Sequence, residues 1–111
     1  FDVCLLQQAH VSYLSSALLL RAPLKPSFVS LDASRPWIMY WCLHALDVMN
    51  QLPPEDHVLL ATVETLKACW CSSSSSSSGG GGFGGGPGQM AHGAPTYAAI
   101  MVLSIIAGTC R

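Results

Sequence analysis

The sequence predicts an all-α protein. Three observations carry this reading: apolar residues recur at spacings of three and four through four segments, proline or glycine clusters punctuate the gaps between them, and no stretch alternates apolar and polar residues with period two. In the first segment, Val3, Leu6, His10, Tyr13, Leu14, Ala17 and Leu18 share one helical stripe. It stops before "RAPLKPS", where Pro23 and Pro26 cannot donate helical hydrogen bonds. The second helix opens at Asp32 or Ser34, either of which can accept a hydrogen bond from a free first-turn amide, and Pro36 suits the first turn because its missing N–H costs nothing there. It runs to about Asn50, with Trp37 and Trp41 on one face and Tyr40 and His44 adjoining.

Pro53 and Pro54 reset the chain, and Pro54, Glu55 and Asp56 suit the start of a third helix by ring geometry and by charge against the macrodipole. That helix carries Val58, Leu59, Val63, Leu66 and Trp70 inward. Ser72 to Ser78 merges into Gly79 to Gly82 with nothing apolar to bury, so residues 72–82 read as a disordered low-complexity insert. The fourth helix, from Pro95, is apolar all round through Tyr97, Ala98, Met101, Val102, Ile105 and Ile106, and is expected to be buried on most sides.

With 111 residues the chain has room for one domain or a piece of one, and half its residues are hydrophobic while only 10% are charged, against roughly a quarter in an ordinary soluble domain. Such a chain needs contact with other protein or with lipid. A membrane-spanning helix takes about 20 consecutive apolar residues, and both candidates fall short: polar residues interrupt Val3 to Leu20, and Tyr97 to Ala107 is too brief. An integral membrane protein is therefore not expected. The formal charge of −1 and the absence of any Lys/Arg block argue against a nucleic-acid partner. No secretory leader is read at the N-terminus, and an odd count of five cysteines favours reduced thiols in a cytoplasmic protein. Cys69-x-Cys71 lacks metal-ligand spacing and an accompanying histidine.

Catalytic chemistry is not legible from residue types alone. The glycine run formally contains G-x-G-x-x-G, but no strand precedes it, no acidic residue follows about twenty positions on, and no Gly-Lys-Ser/Thr completes a phosphate loop. Trp37 and Trp41 read either as core or as a stacking platform for an apolar ligand. His92 reads as a structural hydrogen-bonding group, a base or a metal ligand, with no partner to decide.

Two blocks, "LDASRPWIMYW" at 31–41 and "GGFGGGPGQMAHGAPTYAA" at 81–99, supported by "HVSYL" at 10–14, resemble the protein prenyltransferase β-subunit family and within it the farnesyltransferase branch. The resemblance implies an α/α toroid, here an incomplete barrel, in which hairpins of helices stack and Gly-rich loops connect them at one rim. It makes residues 1–111 the N-terminal portion of such a subunit. It also implies an enzyme that transfers farnesyl from farnesyl diphosphate to the cysteine of C-terminal CaaX proteins, working as a heterodimer with an α subunit and requiring zinc. The zinc ligands, an Asp, a Cys and a His, lie beyond Arg111, as do the residues that hold the phosphates. No catalytic or metal-binding role therefore falls on this segment.

By the same resemblance Trp37, Trp41 and Ala94 contact the CaaX peptide, Trp37 and Tyr97 the isoprenoid, and Ser34 sits at the rim. Gly93 stands where the family usually has a Leu, which loosens the approach to Ala94. A bulky residue at Trp37 favours farnesyl, because the related geranylgeranyltransferase type I β chains carry a smaller one. That enzyme is the alternative within the class, and a truncated, non-catalytic helical interaction module is the alternative outside it. The segment alone is expected to be inactive, and to aggregate or stay molten.

Overall fold

A computed structural model describes residues 6–19, 24, 26–72 and 81–109. Its order is α1 (Gln7–Leu18), a 3₁₀ segment (Pro26–Ser34), α2 (Arg35–Val48), α3 (Asp56–Cys69), β1 (Trp70–Cys71), β2 (Gly82–Phe83) and α4 (Gly93–Thr109). The four helices are the four that the apolar spacing calls for. Helix α2 is the centre of the packing, most extensively against α4 and then against α1, with α3 set against α1 and α2. Ile38, Met39, Leu43 and Leu46 of α2 form the core with Leu18, Val58, Leu66, Ala99 and Val102. Two buried threonines of α3 return their hydroxyls to the preceding turn, Thr62 Oγ1 to the Val58 carbonyl and Thr65 Oγ1 to the Ala61 carbonyl, each at 2.9 Å. That satisfies polar groups that burial would otherwise penalise.

Several expectations shift. In α1 the stripe that packs is Val11, Leu14, Ala17 and Leu18 at the C-terminal half, whereas Leu6, His10 and Tyr13 face outward. Pro26 does not merely connect; it opens a 3₁₀ segment that is broken at Leu31. Neither Asp32 nor Ser34 caps α2 by a side-chain bond. The Arg35 amide instead donates to the Gly85 carbonyl at 2.9 Å. A free helix amide is thus satisfied from the glycine loop rather than from the expected cap. Helix α2 ends at Val48, two residues short of Asn50, which takes a left-handed φ of 57°.

Although no period-two pattern exists in the sequence, Trp70–Cys71 pairs antiparallel with Gly82–Phe83. Strands of two residues are too short to show alternation. This pairing also moves Trp70, expected on the inner face of α3: the helix ends at Cys69 and Trp70 is extended, half exposed and packed edge-on to Phe83 at 5.1 Å. Of the expected disordered insert, residues 73–80 lie outside the described residues, and Gly82 is a buried hairpin residue. Helix α4 buries only Pro95, Ala98, Ala99 and Val102, leaving Ile100 and Leu103 exposed, because α2 and the hairpin cover just one side of it.

Candidate functional site

The glycine loop brings α4 to the start of α2. A Cβ on Gly85 would overlap the Ala33 carbonyl, and one on Gly84 would overlap the Gln89 carbonyl. Only glycine allows the backbone segments to meet this closely. The loop is fixed at its other end by Thr96: the Phe83 amide donates to Thr96 Oγ1 at 3.0 Å, and the hydroxyl lies 3.3 Å from the Phe83 carbonyl. Hence Trp37 on α2 and Tyr97 on α4 come together with ring centroids 5.9 Å apart.

Trp37 is the hub of a continuous aromatic face. Its ring lies 5.7 Å from Trp41 and 6.2 Å from Tyr40. Tyr40 in turn meets Tyr97 edge-on at 6.5 Å and stacks on His44 at 5.7 Å. These four α2 residues recur at i, i+3, i+4 and i+7, one helical face, less buried than the core face. Trp41 and Tyr97 are each 52% exposed. Offset and edge-on aromatic pairs contribute about 0.5–1.5 kcal/mol each beyond area burial, so the face holds its shape without being covered. Ala94 is exposed three residues before Tyr97, hence on the same side of α4. Nothing lies within 4 Å of a Cβ at Gly93, so the departure there leaves open space beside Ala94.

Of the residues singled out by sequence, Trp37 and Tyr97 meet across α2 and α4, Trp41 adjoins Trp37, Ala94 lies on Tyr97's side of α4, and Ser34 immediately precedes α2. Tyr40, which bridges the helices, was the missing member; its place three residues after Trp37 was the available signal. His92 is exposed, and its amide donates to the Phe83 carbonyl at 3.3 Å. The arrangement offers apolar, polarisable surface with few polar groups, suited to binding a hydrocarbon chain rather than to acid–base work.

Zinc does not fit the described residues. Among those described, no group of three or more His, Cys, Asp or Glu side chains converges. Burial pushes the Cys42 thiol up to about 11. Burial likewise raises Cys69 to about 11, although the Arg35 charge pulls it down. Thiols so held resist the deprotonation that metal ligation requires. No helix among the described residues is long and apolar enough to cross a membrane.

Packed helices with a glycine loop leading into the last of them, and an aromatic face where α2 meets α4, agree with the family to which the chain belongs: the prenyltransferase alpha-alpha toroid domain family, whose model matches residues 5–110. Within it, the chain is similar to proteins named protein farnesyltransferase subunit beta. It is 40% identical to that of Saccharomyces cerevisiae over 104 residues, 94% of this chain and 22% of the relative. To that of Arabidopsis thaliana it is 40% identical over 85 residues, 77% of this chain and 16% of the relative. To that of Pyricularia oryzae it is 34% identical over 100 residues, 90% and 17% respectively. The chain thus spans less than a quarter of the length of these relatives.

Proposed function

We propose that residues 1–111 are the N-terminal portion of a protein farnesyltransferase β subunit, supplying part of the wall against which an isoprenoid and a CaaX peptide pack. The observation that carries this reading is the joined aromatic face of Trp37, Tyr40, Trp41 and Tyr97, built from two helices and left open at Trp41 and Tyr97. A farnesyl chain presents almost only apolar surface, and each Å² removed from water is worth about 25 cal/mol. In this reading Trp37 and Tyr97 touch the isoprenoid, while Trp37, Trp41 and Ala94 touch the aliphatic peptide residue. The segment's contribution is to bind, orient and exclude water. The remaining subunit, an α subunit and zinc complete a cytoplasmic heterodimer that transfers farnesyl from farnesyl diphosphate to the cysteine thiol of CaaX proteins.

The test is Trp37→Ala in the complete heterodimer. Removing the indole opens space at the hub of the face, so preference for farnesyl over geranylgeranyl diphosphate, read as the ratio of kcat/KM values, should fall about tenfold or more, corresponding to at least ~1.4 kcal/mol. An unchanged ratio would remove Trp37 from the isoprenoid site and overturn the farnesyl assignment.

A further inference from the structure

At the foot of α2, three polar side chains form an arrangement that the aromatic face does not itself explain. Arg35 is only 4% exposed. Its Nη2 donates to Asp32 Oδ1 at 2.7 Å, and its buried Nε has no hydrogen-bond partner. Gln89 Nε2 lies 3.5 Å from the other Asp32 carboxylate oxygen and donates to the Asp32 carbonyl at 3.3 Å. The glycine loop makes room for this: a Cβ on Gly86 would stand 2.7 Å from Gln89 Nε2 and 2.8 Å from the Asp32 carbonyl. The Cys71 thiol, at 3.0 Å, donates to the Gln89 carbonyl and ties the residue to the hairpin.

A buried guanidinium with one half-exposed counterion is a poor way to fill space, since an apolar side chain of similar volume would avoid the desolvation cost. What the pair does achieve is orientation. Arg35 takes one oxygen of Asp32 and leaves the other turned toward Gln89, so that the start of α2 is fastened to the loop that delivers α4. Trp37 is two residues beyond Arg35, and Tyr97 begins eight residues beyond Gln89, past the Thr96 anchor. We propose that Asp32, Arg35 and Gln89 are positioning residues that set the separation of Trp37 and Tyr97, and through it the length of isoprenoid that the site accepts. This inference rests on the isoprenoid-site reading given above.

The test uses the complete heterodimer with Gln89→Ala, Arg35→Met and Arg35→Lys, and compares farnesyl with geranylgeranyl diphosphate. Gln89→Ala and Arg35→Met should each lower the farnesyl preference about threefold to tenfold, through KM for the isoprenoid and with kcat and peptide KM little changed. Arg35→Lys, which keeps the charge but not the planar fork, should recover part of the preference. The near-UV circular dichroism contributed by the coupled Trp37 and Tyr97 rings should weaken in parallel. Should Arg35→Met fail to assemble, Gln89→Ala decides, because its side chain lies at the surface of the loop. A lowered melting temperature with an unchanged ratio would overturn the proposal and leave the clamp merely structural. Trp37→Ala in the same assay separates the two readings. If it moves the ratio and the clamp variants do not, only this inference falls; if it does not move the ratio, both fall.

Discussion

Along α2, Ile38, Met39, Leu43 and Leu46 are sealed in the core shared with α1 and α4, whereas on the same fourteen-residue helix Trp41 and His44 are exposed and Trp37 and Tyr40 only partly buried. Both faces are largely apolar, and both follow helical spacing. Their difference is one of shape and partner: the inner face is aliphatic and interdigitates with small residues such as Ala98 and Ala99 on α4, which let the helices approach, while the outer face is aromatic and braces itself ring against ring. Hydrophobicity therefore says that a residue wants cover, without saying whether the cover is a neighbouring helix or a ligand. The identity of the side chains carries that second piece of information.

Four substitutions or conditions break or sharpen this contrast. The largest effect is expected on the inner face: Leu43→Ala empties a fully buried site, and should cost about 2–5 kcal/mol, measured as lost hydrogen-exchange protection of α2 amides in the assembled subunit. Next, Gly85→Ala leaves both faces chemically intact but forces the loop from the Ala33 carbonyl, at about 1–3 kcal/mol; it should also disturb the Trp37–Tyr97 contact, so a lower melting temperature with unaltered tryptophan circular dichroism would contradict the close approach.

A smaller effect comes from Cys42, the thiol on the inner face. Its folded value of about 11 lies above the ordinary 9.0. The unfolded chain therefore loses that proton first, and the thiol's contribution to stability is fully present below pH 9, declines from pH 9 to 11, and is gone above that. The decline is about 1.4 kcal/mol per pH unit at its steepest. Cys42→Ala should flatten the alkaline limb of a stability–pH curve; a limb of unchanged slope would count against a desolvated thiol. The smallest effect on stability belongs to Trp41→Ala on the outer face, under about 1 kcal/mol, yet the same substitution should raise KM for the CaaX peptide severalfold. Equal losses of stability from Leu43→Ala and Trp41→Ala would abolish the distinction between the faces.

Much of this was readable from the chain. Four helices followed from spacing and from Pro36, Pro53, Pro54 and Pro95, and the two sequence blocks that resemble the family already held Trp37, Trp41 and Tyr97, whose rings the fold brings together. What escaped was non-local. The satisfaction of the Arg35 amide by Gly85 joins residues fifty positions apart, so local capping rules pointed to Asp32 and Ser34 instead. Trp70 reads as helical because its spacing from Leu66 is right, and only pairing with Phe83 across the insert draws it into extended backbone. Arg35 looks like an ordinary surface charge until the loop folds over it. The exposed side of α4 was unreadable for another reason: a uniformly apolar helix carries no stripe to say which side this chain covers and which it leaves.

The two-residue pairing of Cys71 with Gly82 has a consequence for tolerance to change. Because the two backbones are hydrogen-bonded neighbours, the connection that leaves Cys71 and returns at Gly82 starts and finishes about 5 Å apart whatever its length. Doubling it adds only about 0.6 kcal/mol of closure entropy. The geometry at the base rests on the pairing of 70–71 with 82–83 and not on the length of chain between them, so an inserted peptide is expected to leave α3 and α4 in register. A label inserted between Cys71 and Gly82 is therefore expected to leave the contacts of α2 with α4 in place.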